Sequence, residues 1–133
     1  MLRLAQIQAG ERVVDLGCGD GRILIRAEKE FHAKAEGYEI SRFVWFFAQI
    51  NRFLHRSKIQ LHRKDFFQAN LCKADVVFCY LLPSVMQQLS PKFRKELKKG
   101  CRVISASFKI PDFKPSKTSH IKTRGGKIFL YKI

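Results

Sequence analysis

Residues 13–22 read Val-Val-Asp-Leu-Gly-Cys-Gly-Asp-Gly-Arg, and this run restricts the fold more than any other part of the chain. Two β-branched residues and a leucine predict a short buried strand that ends at Leu16. Gly17, Gly19 and Gly21 then alternate with Cys18 and Asp20 before a helical pattern begins. Glycines so spaced permit a tight strand-to-helix turn and let a ligand lie against bare backbone. The loop is not the G-x-G-x-x-G dinucleotide fingerprint, because Arg22 occupies the place of its third glycine. Asp15 and Asp20 bracket the loop with negative charge, which suits a ligand with cationic groups better than a diphosphate.

Strand and helix patterns alternate beyond this point, which predicts an α/β fold with a doubly wound, mostly parallel Rossmann-like sheet. Residues 2–9 read as the end of a helix closed by Gly10. Gly21–Phe31 carries a helical stripe of Ile23, Leu24, Ala27 and Phe31, and Lys34–Ile40 reads as the second strand, with Glu39 near its end. Ser41 is the expected N-cap of a helix running to about His55. Its stripe of Phe43, Phe47, Ile50 and Leu54, widened by Trp45, Phe46 and Phe53, is expected to pack in the core. The alternative is a face turned to a membrane or a hydrophobic partner, helped by Arg42, Arg52 and Arg56. Lys58–His62 and the apolar run Ala74–Tyr80 follow as strands, the latter central. Leu81 to Ser84 open a helix, and Ser90-Pro91 reads as the cap of a second one, with Phe93 and Leu97 inward. Cys101–Phe108 is a fifth strand, and Ser119–Thr123 with Lys127–Ile133 form a C-terminal antiparallel hairpin around Arg124-Gly125-Gly126.

The segment Asp15–Arg22 resembles motif I of the class I S-adenosylmethionine-dependent methyltransferases, and the order of elements agrees over nearly the whole chain. Gly37–Ile40, Tyr80–Met86 and Arg102–Phe108 are similar to one subgroup in particular: small protein-lysine methyltransferases of the ADP/ATP translocase and ATP synthase c-subunit type. The resemblance implies a single methyltransferase domain over residues 1–133 with S-adenosylmethionine as cofactor. The residues it would use are Asp15, Gly17, Cys18, Gly19, Gly21, Glu39, Ile40, Asp65, Phe66 and Cys79, with Glu39 on the ribose and Asp65-Phe66 on the adenine. Tyr80 is the candidate catalytic side chain, in an apolar slot with Leu81, Leu82, Val85 and Met86. The Asn/Asp-Pro-Pro-Tyr/Phe loop of amino-methylating nucleic-acid enzymes is absent. Relatives have a longer lead before the first strand. Three expectations stay open on that account: a truncated domain, a lid supplied by a partner or second copy, or lost activity.

Charge bears on partners. Residues 1–66 hold 12 basic and 8 acidic side chains, whereas residues 67–133 hold 14 and 3. A basic half of that kind can meet a nucleic acid or another polyanion as well as a protein substrate. An RNA methyltransferase and a cofactor-binding module without catalysis therefore stand as alternatives. Cys18, Cys72, Cys79 and Cys101 include no C-x-x-C pair and no histidine at zinc spacing, so no metal is expected and a reducing cytoplasm fits. No apolar run approaches the roughly 18 residues that span a bilayer.

Overall fold

The computed structural model describes residues 1–120 and 126–133. In chain order the elements are α1 (Leu2–Ala5), β1 (Arg12–Leu16), α2 (Arg22–Phe31), β2 (Lys34–Tyr38), α3 (Arg42–Leu54) and β3 (Gln60–His62). A 3₁₀ turn (Phe66–Gln68), β4 (Val76–Cys79), α4 (Pro83–Glu96), β5 (Arg102–Ala106), β6 (Lys117–His120) and β7 (Lys127–Lys132) follow. The strands form one seven-stranded sheet in the order β3-β2-β1-β4-β5-β7-β6. Strands β1 to β5 are parallel, and β7 runs antiparallel to both β5 and β6. This is the doubly wound sheet with an antiparallel C-terminal edge that the pattern predicts. The turn expected at Arg124-Gly125-Gly126 falls, apart from Gly126, outside the described residues.

Alternation along the strands divides the core into two layers. Val14, Leu16, Val77, Cys79 and Val103 face α4, where Met86, Leu89 and Phe93 cover them. Val13, Val76, Phe78 and Ile104 face α1 and α2, which supply Leu2, Leu24, Ile25 and Ala27. β1 and β4 are covered on both faces; β4 accordingly reads as a continuous apolar run, and β1 is apolar after Arg12 except for Asp15.

Four local expectations need correction. α1 is a single turn, not a helix to residue 9. Gln6 closes it in the left-handed region (φ 50°), and Arg102 Nη1 donates to the Ala5 and Gln6 carbonyls at 2.7 Å. Ser90-Pro91 does not start a helix: α4 is continuous, begins with Pro83 at its first turn, and carries Pro91 inside. Ser90 Oγ is spent on the Pro111 carbonyl at 2.9 Å, and at Pro91 the helix forgoes one backbone hydrogen bond. Met86 is wholly buried under the sheet, so it lines no slot.

The fourth correction is the largest. α3 does not pack its aromatic stripe in the core. Ser41 caps it as expected, with its Oγ accepting from the Val44 N–H at 3.5 Å. Ala48 is its one buried residue, and Trp45 and Arg52 flank it, donating to the Leu61 and Ile59 carbonyls at 3.3 and 3.4 Å. Phe43, Phe46, Phe47, Ile50, Phe53 and Leu54 face outward, Phe43 and Phe53 with about four-fifths of their surface exposed (79% and 81%). Helical spacing shows that these residues share a side; it does not say which way that side points. Among the described residues, no helix is long and apolar enough to cross a membrane.

Candidate active site

The carboxyl ends of β3, β2, β1 and β4 lie side by side, and in open α/β sheets this is the edge where ligands bind. It brings Asp65, Glu39, the glycine loop and Tyr80 into one row. Three inter-strand steps make the row roughly 14 Å long, the scale of a nucleoside with a short tail.

The glycine loop is held from below. The N–H groups of Gly17 and Cys18 both donate to the Tyr38 carbonyl, at 2.9 and 3.0 Å. Gly17 has φ +77°, which favours glycine, and a Cβ there would come within 3.1 Å of Leu81 Cδ2 in the loop after β4. Asn51 Nδ2 on α3 donates to the Asp20 carbonyl at 3.1 Å and fixes the far side of the loop. Sequence reasoning gave Asn51 no role. It also quoted Gly37 only as part of a resemblance, although a Cβ at Gly37 would stand 2.4 Å from Leu24 Cδ1 and 2.6 Å from Cys18 Cβ. The signal was available: a glycine inside a predicted strand marks a close approach. Here Cys18, buried in the loop, packs onto β2.

Asp15 is the unusual group. It is 4% exposed at the end of β1. Burial pushes its carboxyl up to about 7, and the negative charges of Glu39 and Asp20 push in the same direction. No cation or hydrogen-bond donor is among the groups acting on it. Asp20, the other acid bracketing the loop, is already satisfied: Arg22 grips it from 2.8 and 2.5 Å and holds its carboxyl below the usual range.

Glu39 ties the loop to α3. Its Oε2 accepts from the Gly19 N–H at 3.3 Å and its Oε1 from the Ser41 N–H at 2.9 Å. Ile40 beside it is exposed. Asp65 accepts from the Phe67 N–H at 2.9 Å and so caps the 3₁₀ turn that carries Phe66. Cys79 turns its side chain into the core, with Sγ 3.7 Å from the Ile104 carbonyl and burial raising the thiol to about 12. It offers the cleft only backbone. Burial likewise raises the Cys18 thiol. Tyr80 (65% exposed) and Leu82 stand at the cleft mouth, and Leu81 is half-buried behind them. His62 stacks on Tyr38 with centroids 4.8 Å apart and meets Glu36, as a support of the strand ends.

A cavity of about 400 Å³ opens on the opposite, amino-terminal edge, lined by Arg12, Glu28, Lys34, Glu36 and Lys58. The Arg12–Glu36 ion pair, 2.8 Å apart, forms part of its wall, and none of the strand-end residues reaches it. Residues 5–11 also run on that edge, where Arg102 clasps Glu11 as well as α1.

Comparison with known proteins agrees with this fold. A family model described as the ANTKMT methyltransferase domain matches residues 15–117. A protein-lysine N-methyltransferase of Saccharolobus islandicus is 38% identical over all of this chain and 86% of its own length. The adenine nucleotide translocase lysine N-methyltransferase of Mus musculus is 35% identical over 78% of this chain, and the match spans 46% of that relative. Among solved structures, an RNA methyltransferase from Salinibacter ruber in complex with S-adenosyl-L-homocysteine superposes with a TM-score of 0.93 at 33% identity. That match covers 99% of this chain and 86% of that one.

Proposed function

The chain belongs to the ANTKMT methyltransferase domain family, and from that premise we propose that its strand-end cleft holds S-adenosylmethionine for methyl transfer to a lysine of a protein. Buried Asp15 carries the reading. A carboxylate pressed by two others and by burial fits a ligand whose tail ends in an ammonium group, because that group restores the charge balance. Gly17, Cys18, Gly19 and Gly21 keep the backbone low enough for the tail to lie on it. Glu39, already fixed by two backbone N–H groups, has lone pairs left for ribose hydroxyls. Asp65 and the Phe66 N–H take the adenine edge, with Ile40 against the ring, and the Cys79 backbone borders the tail on the other side.

When bound, S-adenosylmethionine supplies an electrophilic methyl group on a sulfonium. The protein's task is then to present an uncharged amine in line with it. A lysine in water has a pKa near about 10.4 and must lose its proton first. Tyr80, Leu81 and Leu82 can desolvate the ammonium and so favour its neutral form. Alignment of the two groups supplies the larger part of the acceleration. A reducing, cytosolic setting belongs to the same reading, because Cys18, Cys72, Cys79 and Cys101 are all unpaired.

An RNA acceptor is the second reading, favoured by the name of the Salinibacter ruber relative and by the basic residues of the C-terminal half. The loop Tyr80-Leu-Leu-Pro, without the Asn/Asp-Pro-Pro pattern, speaks for the lysine. Calorimetry with S-adenosylmethionine tests the common premise. We expect binding by the wild type and none by Asp15→Ala; equal affinities would move the site elsewhere. Labelled methyl transfer in a lysate then separates the acceptors. Label lost to protease and kept through nuclease supports lysine, and the reverse supports RNA.

A further inference from the structure

Phe47 and Ile50 border a hollow beside Asp20 of the glycine loop, but the rest of the outer face of α3 has no part in the cleft described above, and its chemistry points to a particular surface. Phe43, Phe46, Phe47, Ile50, Phe53 and Leu54 are exposed along three turns of helix. At about 200 Å² per phenylalanine they display on the order of 700 Å² of apolar surface. The largest patch on an ordinary monomer is roughly 300–600 Å².

The surroundings of the patch decide what can cover it. Residues 40–64 contain six lysines and arginines (Arg42, Arg52, Arg56, Lys58, Arg63, Lys64) and no aspartate or glutamate. All but Arg52 are exposed, and the acids that come near the face, Asp20 beside Phe47 and Ile50 and Glu28 at Ser57 and Lys58, are each already engaged, so the rim is predominantly basic. The patch approaches the area of about 800 Å² that each partner buries in a dimer of standard size. A second copy, however, would bring this rim and a formal charge of +15 against their like. A helix with aromatic residues on one side and arginines beside them is suited to lie in the plane of an anionic bilayer, apolar side down and guanidinium groups among the phosphates. We propose that the outer face of α3 docks the protein on anionic membrane surfaces. Because α3 starts directly after Glu39 and Ile40, a bilayer on that face reaches the mouth of the cleft, and acceptors at the headgroup level come within its range. The docking itself does not depend on which acceptor is methylated.

The test is flotation of the 133-residue chain with two kinds of vesicle: phosphatidylcholine alone, and phosphatidylcholine with about one-third phosphatidylglycerol. Binding to the anionic vesicles is expected to be more than about tenfold tighter and to weaken with salt. Quenching of Trp45, the single tryptophan, by brominated lipid should report the approach of α3. The double variant Phe46→Ser, Phe53→Ser should lose at least about tenfold in binding while keeping its melting temperature, since both rings are exposed. No binding by the wild type overturns the proposal. Undiminished binding by the double variant also overturns it, because net charge alone would then hold the protein. So does a dimer in solution that the double variant disrupts, because a second copy would then cover the face.

Discussion

At the end of β1 a carboxylate is buried among carboxylates, whereas along α3 six large apolar side chains stand in water. Both places reverse the usual partition of a folded chain, and they reverse it in opposite senses. A buried charge is a point defect that one small cation can cure, so it implies a ligand of defined shape. An exposed apolar stripe is an extended defect that only a surface can cure. The first sits where four strand ends converge and the second on a helix that seats little more than Ala48 on the sheet. The kind of misfit, as well as its position, therefore indicates the kind of partner.

The sharpest way to break this contrast is at Asp15. Its folded pKa of about 7 lies above the ordinary 3.8, so the stability linked to it is full below pH 4 and is lost as pH rises through 7. Denaturant titrations of the free protein should show Asp15→Asn gaining stability over the wild type from pH 5 to pH 8, by up to about 4 kcal/mol. A loss at pH 8 would mean that the carboxylate already has a partner without ligand. The next largest effect belongs to the ordinary core. Leu24→Ala, on the buried side of α2, should cost about 2–5 kcal/mol in the same titrations. Gly37→Ala should cost about 1–3 kcal/mol, since its methyl group would collide with Leu24 and Cys18; a neutral result would show that the loop is free to move away from β2. The smallest change is expected at Phe53→Ser, within about 0.5 kcal/mol of the wild type. A cost close to that of Leu24→Ala would show that the α3 face is covered in the free protein.

The two helices also mark how far the sequence could be read. α2 alternates its apolar stripe with Arg22, Arg26 and Glu30, so its polar side identifies the solvent and its Leu24 side the core. α3 has few polar residues, and the same period left its direction undetermined. The central place of β4 was legible because it is apolar on both faces, and the end of β1 was legible because Gly17, Gly19 and Gly21 follow it. The grouping of Asp65, Glu39, Asp15 and Tyr80 followed from the alternation of strands and helices, since each residue sits near the carboxyl end of a parallel strand. Other features depend on distant atoms. Ser90 looked like a cap because serine before proline usually is one, but its hydroxyl found the Pro111 carbonyl across the fold. Asp20 looked like a free charge until Arg22 folded back on it. Asn51 meets the glycine loop only once α3 has docked.

The sheet order has a consequence for synthesis on the ribosome. β7 is the seventh strand to leave the exit tunnel but the sixth in the sheet, inserted between β5 and β6. Until residues 127–132 emerge, β6 has no neighbour among the described strands, and the open side of β5 is a bare edge. The strands that carry the cleft, β1 to β4, are all complete by residue 79. A nascent chain can thus shape its ligand-facing edge while its other edge is still sticky, and S-adenosylmethionine present during translation would favour the half-made sheet. Pulse proteolysis of chains stalled on C-terminal spacers that keep residues 127–132 inside the tunnel or clear of it, with and without that ligand, would time the two events.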